Sequence, residues 1–214
     1  MIKKHKWPLL AGSIVILLPI LAGLLLWNRL PEQIPTHWGP TGEVDGWSSK
    51  GFAVIGLPAI VLALHWICVL ATYLDPKNKN QNKKAMTLVL WICPVITVLL
   101  STLTLGSALG WQPNVSMIMP VLLGILFMVI GNYLPKCTRN YTIGIKIPWT
   151  LNSEENWNAT HRFAGKIWFI GGLLILPCGF LPEFWPVITF GVILLAMVVL
   201  PIVYSGRFHR KENP

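Results

Sequence analysis

His37, Glu43 and Asp45 stand close together in the stretch PEQIPTHWGPTGEVDGWSSK, residues 31–50, beside Trp38 and Trp47. An imidazole and two carboxylates are ligand types that hold Zn²⁺. Their spacing matches no metal motif, and turn chemistry uses the same residues: Asp45 caps its own turn and His37 stands exposed beside a tryptophan. No metal is assigned. Pro31, Pro35, Gly39, Pro40, Gly42 and Gly46 make the stretch a run of turns, in which Gly-Pro-Thr-Gly or Asp45-Gly46 could close a short hairpin with Trp38 and Trp47 facing a membrane interface. Two tryptophans with a charged rim suit contact with a peptide, so His37, Trp38, Glu43, Asp45 and Trp47 are the candidate contacts.

A second polar stretch, Gly131 to Gly172, reads GNYLPKCTRNYTIGIKIPWTLNSEENWNATHRFAGKIWFIGG. Ile147 before Pro148 is expected to be extended. Asn152, with Glu155 three residues on, predicts a capped helix start and a helix running into the next apolar run without a break. On that helix Trp157, His161, Ala164 and Trp168 fall near one face, and Arg162 and Lys166 share another. Aromatic anchors and snorkelling bases at a membrane interface account for most of these residues. They do not account for the dense mixture of Asn, Tyr, Thr and Trp, which suits a folded, hydrogen-bonded loop that plugs or caps the helices. Its candidate residues are Asn132, Tyr133, Arg139, Asn140, Tyr141, Lys146, Trp149, Trp157, His161 and Arg162.

Catalysis has no support. H-E-x-x-H, G-x-S-x-G and a Walker loop are all missing, and Glu155 and His161 are wrongly spaced for two metal ligands on one helical turn. No catalytic residue and no cofactor is assigned. Cys68, Cys93, Cys137 and Cys178 form no C-x-x-C pair, and a disulfide framework is not expected.

The elements around these stretches belong to a membrane. Of 214 residues, 54% are hydrophobic and 12% charged, against about 25% charged in soluble domains. A bilayer core needs about 20 apolar residues per helix, and six segments meet or approach this: 8–30, 52–74, 85–109, 116–134, 164–181 and 185–205. Each carries a proline (Pro19, Pro58, Pro94, Pro120, Pro177, Pro201). The expected fold is all-α, a polytopic integral membrane bundle of six transmembrane helices. With the N-terminus inside, all of the 17 basic residues except Arg29 and Lys50 fall on the cytoplasmic side, including Lys79, Lys83 and Lys84. The positive-inside rule therefore puts both termini in the cytoplasm and explains the net charge of +9 without nucleic acid.

No Asp, Glu, Lys or Arg lies mid-span, which argues against proton-coupled transport. His65 reads as a neutral histidine hydrogen-bonded among helices, and Ser101, Thr102 and Thr104 as interhelical partners. Gly106 and Gly110 form a GxxxG, a weak packing signal. The chain divides into residues 1–50 (first span and extracellular turn-rich loop), 51–134 (spans two to four), 135–163 (cytoplasmic loop) and 164–214 (spans five and six with a basic tail).

The Gly131–Gly172 run resembles the signature of the SdpI family, typified by the immunity protein of the sporulation-delaying-protein toxin system in spore-forming bacteria. The upstream LPEQIPTHWGPTGEVDGWSSKGF resembles a small domain of unknown function that often accompanies it. The resemblance implies a multi-pass protein of the bacterial cell membrane that protects against a secreted, membrane-active peptide toxin. Its partners would be the lipid bilayer, the toxin and a cytoplasmic ArsR-type repressor held at the membrane for signalling. A signalling receptor without immunity and an uncoupled transporter of a peptide or lipid are the alternatives. The resemblance supplies no catalytic residues.

Overall fold

A computed structural model describes residues 2–77, 83–182 and 184–212. Lys79 lies outside them, and the side chains of Lys3, Lys4, Lys83 and Lys84 are likewise not described. Among the described residues, six helices are long and apolar enough to cross a membrane: Lys6–Leu25, Phe52–Leu74, Ala85–Ala108, Val115–Lys136, Glu154–Phe180 and Trp185–Lys211. In hydrocarbon each backbone N–H and C=O must be satisfied within its own segment, which leaves the helix as the form these apolar runs can take. The elements are α1 (Ile2–Leu25), β1 (Gln33–Trp38), β2 (Val44–Ser49), α2 (Leu57–Leu74), α3 (Lys83–Ala108), α4 (Val115–Tyr133), α5 (Pro148–Asn152), α6 (Glu154–Ile175) and α7 (Trp185–Glu212). The expected all-α character thus holds for the spans, with a two-stranded antiparallel hairpin added between the first and second.

Several boundaries differ from expectation for local reasons. The first span stops at Leu25 rather than at residue 30: a 3₁₀ turn over Trp27–Arg29 follows, and Leu30 is extended because Pro31 comes next. The last helix runs on through the polar tail to Glu212. Ile147 is extended before Pro148, as expected, but the helix start after it is capped by Ser153, whose Oγ accepts the Asn156 N–H at 3.1 Å. Asn152 closes the short α5 instead, so the predicted cap is displaced by one residue. Pro177 ends α6 in a 3₁₀ turn, whereas Pro19, Pro94, Pro120 and Pro201 lie inside helices.

Gly106 and Gly110 do not pack helices together. They end α3: the Trp111 N–H reaches Gly106 O at 2.9 Å, the Gly110 N–H reaches Ser107 O at 3.1 Å, and Gly110 has φ +95°. That is a Schellman cap, in which glycine takes the left-handed position.

The chain forms two compact units, Met1–Tyr73 with Val89–Val115 and Leu74–Leu88 with Ser116–Pro214. The first has a core of Leu30, Ile34, Ala53, Val54 and Leu105 where the hairpin meets the helices. In the second, α4 and α6 run antiparallel and touch through glycines. A Cβ on Gly131 would lie 2.8 Å from Gly165 O, and one on Gly172 would lie 2.5 Å from Gly124 O. Small residues let helix backbones approach closely in a membrane, where dispersion contacts rather than hydrophobic burial hold helices together.

Candidate functional site

In the first unit, β1 and β2 pair with Gln33 opposite Ser49 and His37 opposite Gly46. Ile34 is completely buried in the core, and Thr36 Oγ1 meets Ser48 Oγ at 2.9 Å across the strands. Gly-Pro-Thr-Gly closes the hairpin: the Gly42 N–H donates to Gly39 O at 3.0 Å, with Gly42 at φ +94°, and the Gly39 N–H donates to Glu43 O at 2.8 Å. Asp45 and Gly46 lie in β2 and not in the turn, because Gly46 is needed opposite His37, where a Cβ would come within 2.8 Å of the His37 Cβ.

The three candidate ligands of this hairpin do not converge. His37 Nδ1 pairs with Asp45 Oδ1 at 2.5 Å on the exposed face, while the Glu43 carboxylate accepts the Thr41 hydroxyl. Trp47 is exposed, whereas Trp38 is half-buried and lines a cleft of about 240 Å³ with Thr36, Pro19, Leu57, Ile96 and Leu100. The cleft is mainly apolar and opens beneath the hairpin within this unit. Lys50 is buried at the end of the hairpin, bonded to Glu32 at 2.7 Å and set over the Trp27 ring.

His65, also in this unit, is fully buried with no hydrogen-bond partner at either ring nitrogen, contrary to the bonded histidine expected. It faces Gly12 of α1, near Leu90 O of α3. Pro94 lacks the N–H that would have bonded that carbonyl. Thr102 bonds its own helix, donating to Val98 O at 2.8 Å, rather than bridging to another.

In the second unit the loop between α4 and α5 closes on itself. Asn140 is completely buried; its Nδ2 donates to Thr138 O and Ile143 O, and its Oδ1 accepts from the Thr142 and Ile143 N–H groups at 2.8 and 2.6 Å. Gly144 follows at φ +111° against His161, so close that a Cβ there would collide with Nε2. His161 Nε2 accepts the Ile145 N–H at 2.9 Å, which leaves Nδ1 to donate to Trp157 O at 2.8 Å. These two bonds fix the neutral Nδ1–H tautomer. The imidazole lies flat on Trp157, 4.0 Å between centroids, and the indole N–H donates to Cys137 O at 2.8 Å. Thr150 Oγ1 returns the chain to α5 through Ile145 O at 2.7 Å. Burial pushes the Cys137 thiol up to about 11.

Asp75 completes the loop. This carboxylate, largely buried at the end of α2, accepts the Tyr141 N–H at 2.6 Å and the Thr142 hydroxyl at 3.1 Å through Oδ2, and the Lys77 N–H through Oδ1. Sequence reasoning missed it. The signal was there: Asp75 is the one acidic residue between Asp45 and Glu154. Ser205 was missed as well; it holds Asn156 by two bonds, Asn156 Nδ2 to Ser205 O at 3.0 Å and Ser205 Oγ to Asn156 Oδ1 at 2.6 Å.

The ten candidates of this stretch separate accordingly. Asn140, Trp157 and His161 form one buried network, with Tyr141 exposed at its edge under Lys77 and Arg139 donating to Leu151 O at 3.4 Å. Trp149 stacks on His209, and Lys146 faces solvent. Asn132, Tyr133 and Arg162 lie elsewhere: Lys136 bonds Asn132 and covers the Tyr133 ring, and Arg162 lines an open groove of about 700 Å³ beside α6. Hydrogen bonds within the loop consume its buried polar groups. This is the chemistry of a rigid platform, not of a reacting centre.

Residues 136–205 match the model of the SdpI/YfhL protein family. The matched segment contains the loop and the Asn156–Ser205 bonds, from Cys137 to Ser205, while Asp75, which completes the loop, lies outside it. Residues 14–62, which hold the hairpin, match a domain of unknown function, DUF1648. Over 203 residues the chain is 27% identical to a protein of Bacillus subtilis (strain 168) named immunity protein SdpI, covering 94% of this chain and 95% of that one. The name is that of an immunity protein and not of an enzyme. No solved structure matches. With six apolar helices among the described residues and this likeness, the chain is a multi-pass protein of the bacterial cell membrane.

Proposed function

We propose that this chain protects its own cell against a secreted, membrane-active peptide toxin, by binding the peptide at the hairpin end of the first unit. The observation that carries this reading is the likeness to immunity protein SdpI along nearly the full length of both chains. The distribution of basic residues supports placing both termini and the 135–163 loop in the cytoplasm and the hairpin outside. An incoming peptide then meets Trp47, the His37–Asp45 pair and Glu43 on an exposed face, with the Trp38 cleft below for an apolar side chain. Such a cleft with a few polar groups at its mouth suits an amphipathic ligand.

The test is survival. A toxin-sensitive bacterium expressing the chain is exposed to the sporulation-delaying-protein toxin, with membrane insertion verified by blotting. Wild-type chain should raise the tolerated toxin concentration several-fold, and Trp38→Ala should lose most of that protection at equal membrane level. Unchanged killing by a chain shown to be in the membrane overturns the proposal.

A second reading, signalling through an ArsR-type repressor, is favoured by the rigidity of the 135–163 loop, which presents Tyr141 and Lys146 on a braced surface. Arg139, Lys146 and Arg162 are then the repressor contacts. Co-purification of a repressor with the wild-type chain, lost in Lys146→Glu, separates this role from immunity alone.

A further inference from the structure

The open groove beside α6 combines three features. Gly131 and Gly165, which bear no side chains, are among its lining residues. Arg162 and Lys166, one helical turn apart on α6, both exposed, stand at its rim. No described carboxylate forms an ion pair with either; Glu155 lines a neighbouring hollow with Arg162 but does not bond it. Farther along α6 the lining becomes apolar through Phe169 and Ile170, which are 42% and 52% exposed.

The polarity of this groove runs in one direction. Along α6 the sequence passes from EENWNATHR to FIGGLLI, from the water-facing loop into the apolar span. The groove lies across that boundary, with two cations at the polar end and an aromatic and aliphatic track at the other. A soluble anion would use the cations and make no use of the Phe169 and Ile170 track. A neutral lipid would use the track and leave the cations unmatched.

We infer that the groove binds one anionic phospholipid, its phosphodiester on Arg162 and Lys166 and an acyl chain along Phe169 and Ile170. Basic pockets between membrane helices recognise anionic headgroups through charge, and each basic residue near the surface adds attraction that hydrocarbon contact alone cannot. The groove runs beside the close glycine contact of α4 and α6. The site is independent of the toxin reading, since every residue in it belongs to the second unit.

Native mass spectrometry of the purified full-length chain in detergent, titrated separately with dioleoyl phosphatidylglycerol and dioleoyl phosphatidylcholine, tests this. The first phosphatidylglycerol should bind about tenfold more tightly than phosphatidylcholine. R162Q/K166Q should bring the two lipids to within about twofold, K166Q alone should fall between, and R162K/K166R should keep the preference. R207Q/R210Q, which removes two exposed charges outside the groove, should also keep it. Millimolar inorganic phosphate should not displace the bound lipid. Equal binding of both lipids by wild type, a preference that survives R162Q/K166Q, or displacement by phosphate each overturns the inference.

Discussion

Asp75 Oδ2 takes the Tyr141 N–H at 2.6 Å, across 66 positions of the chain. The bond ties the end of α2 to the loop of the SdpI segment, inside one unit. A carboxylate accepting backbone N–H groups makes bonds stronger than neutral pairs, about 1.5–3 kcal/mol each.

Removing that acceptor should loosen the loop before it unfolds the protein. Cys137 reports this, because it is buried and its thiol, raised to about 11, leaves about one molecule in a thousand as thiolate at pH 8. The wild-type chain should therefore react slowly with N-ethylmaleimide at Cys137, faster as pH rises. Asp75→Ala should speed the reaction about tenfold or more, and Asp75→Asn, which keeps one acceptor oxygen, less. Equal rates in all three would show that Asp75 does not hold the loop shut.

Gly144 and His161 should behave as one unit. Gly144→Ala forces a Cβ onto a left-handed backbone and into Nε2, and should cost about 1–3 kcal/mol. His161→Ala leaves the Ile145 N–H without its acceptor, at a similar cost of about 1–3 kcal/mol. In the double variant the collision is gone, so the combined loss in thermal stability should be smaller than the sum of the single losses. Simple additivity would show that the two residues do not meet.

The glycines of the second unit should divide sharply. Gly165→Ala places a methyl 2.7 Å from Gly131 O and against Pro135, and should lower the melting temperature or the folded yield. Gly191→Ala on α7 meets nothing within 4 Å and should be neutral or stabilising by up to about 1 kcal/mol. Size-exclusion chromatography of detergent extracts before and after heating distinguishes them.

Topology is open to direct labelling. In a background with the native cysteines replaced by serine, Glu43→Cys should react with a membrane-impermeant maleimide in intact cells. Lys146→Cys should react only after permeabilisation. The opposite pattern reverses the orientation proposed for the hairpin and loop.

The spans were legible because hydropathy is written locally, residue after residue, and the hairpin turn because Gly-Pro-Thr-Gly carries its own geometry. What escaped were relationships between distant residues. Nothing near Tyr141 names Asp75 as the acceptor of its N–H. Ser153 displaced Asn152 as cap because α5 adds a helical turn before α6, which the S/N-x-x-E pattern does not reveal. Gly106 and Gly110 carry the spacing of a packing motif yet end a helix, while the glycines that pack, Gly124 with Gly172 and Gly131 with Gly165, announce themselves in no familiar pattern. His65 escaped for the same reason, since its neighbour Leu90 O is freed by a proline on another helix.

Gly124 and Gly131 meet their partners two turns apart, which splints α4 and α6 at two points. Neither helix can roll or slide along the other without driving a side chain into the gap. The pair is therefore stiff against relative motion of its two helices, and the Asn140–His161 network sits at its end. The stiffness of the loop is thus continuous with that of the two helices on which it is built.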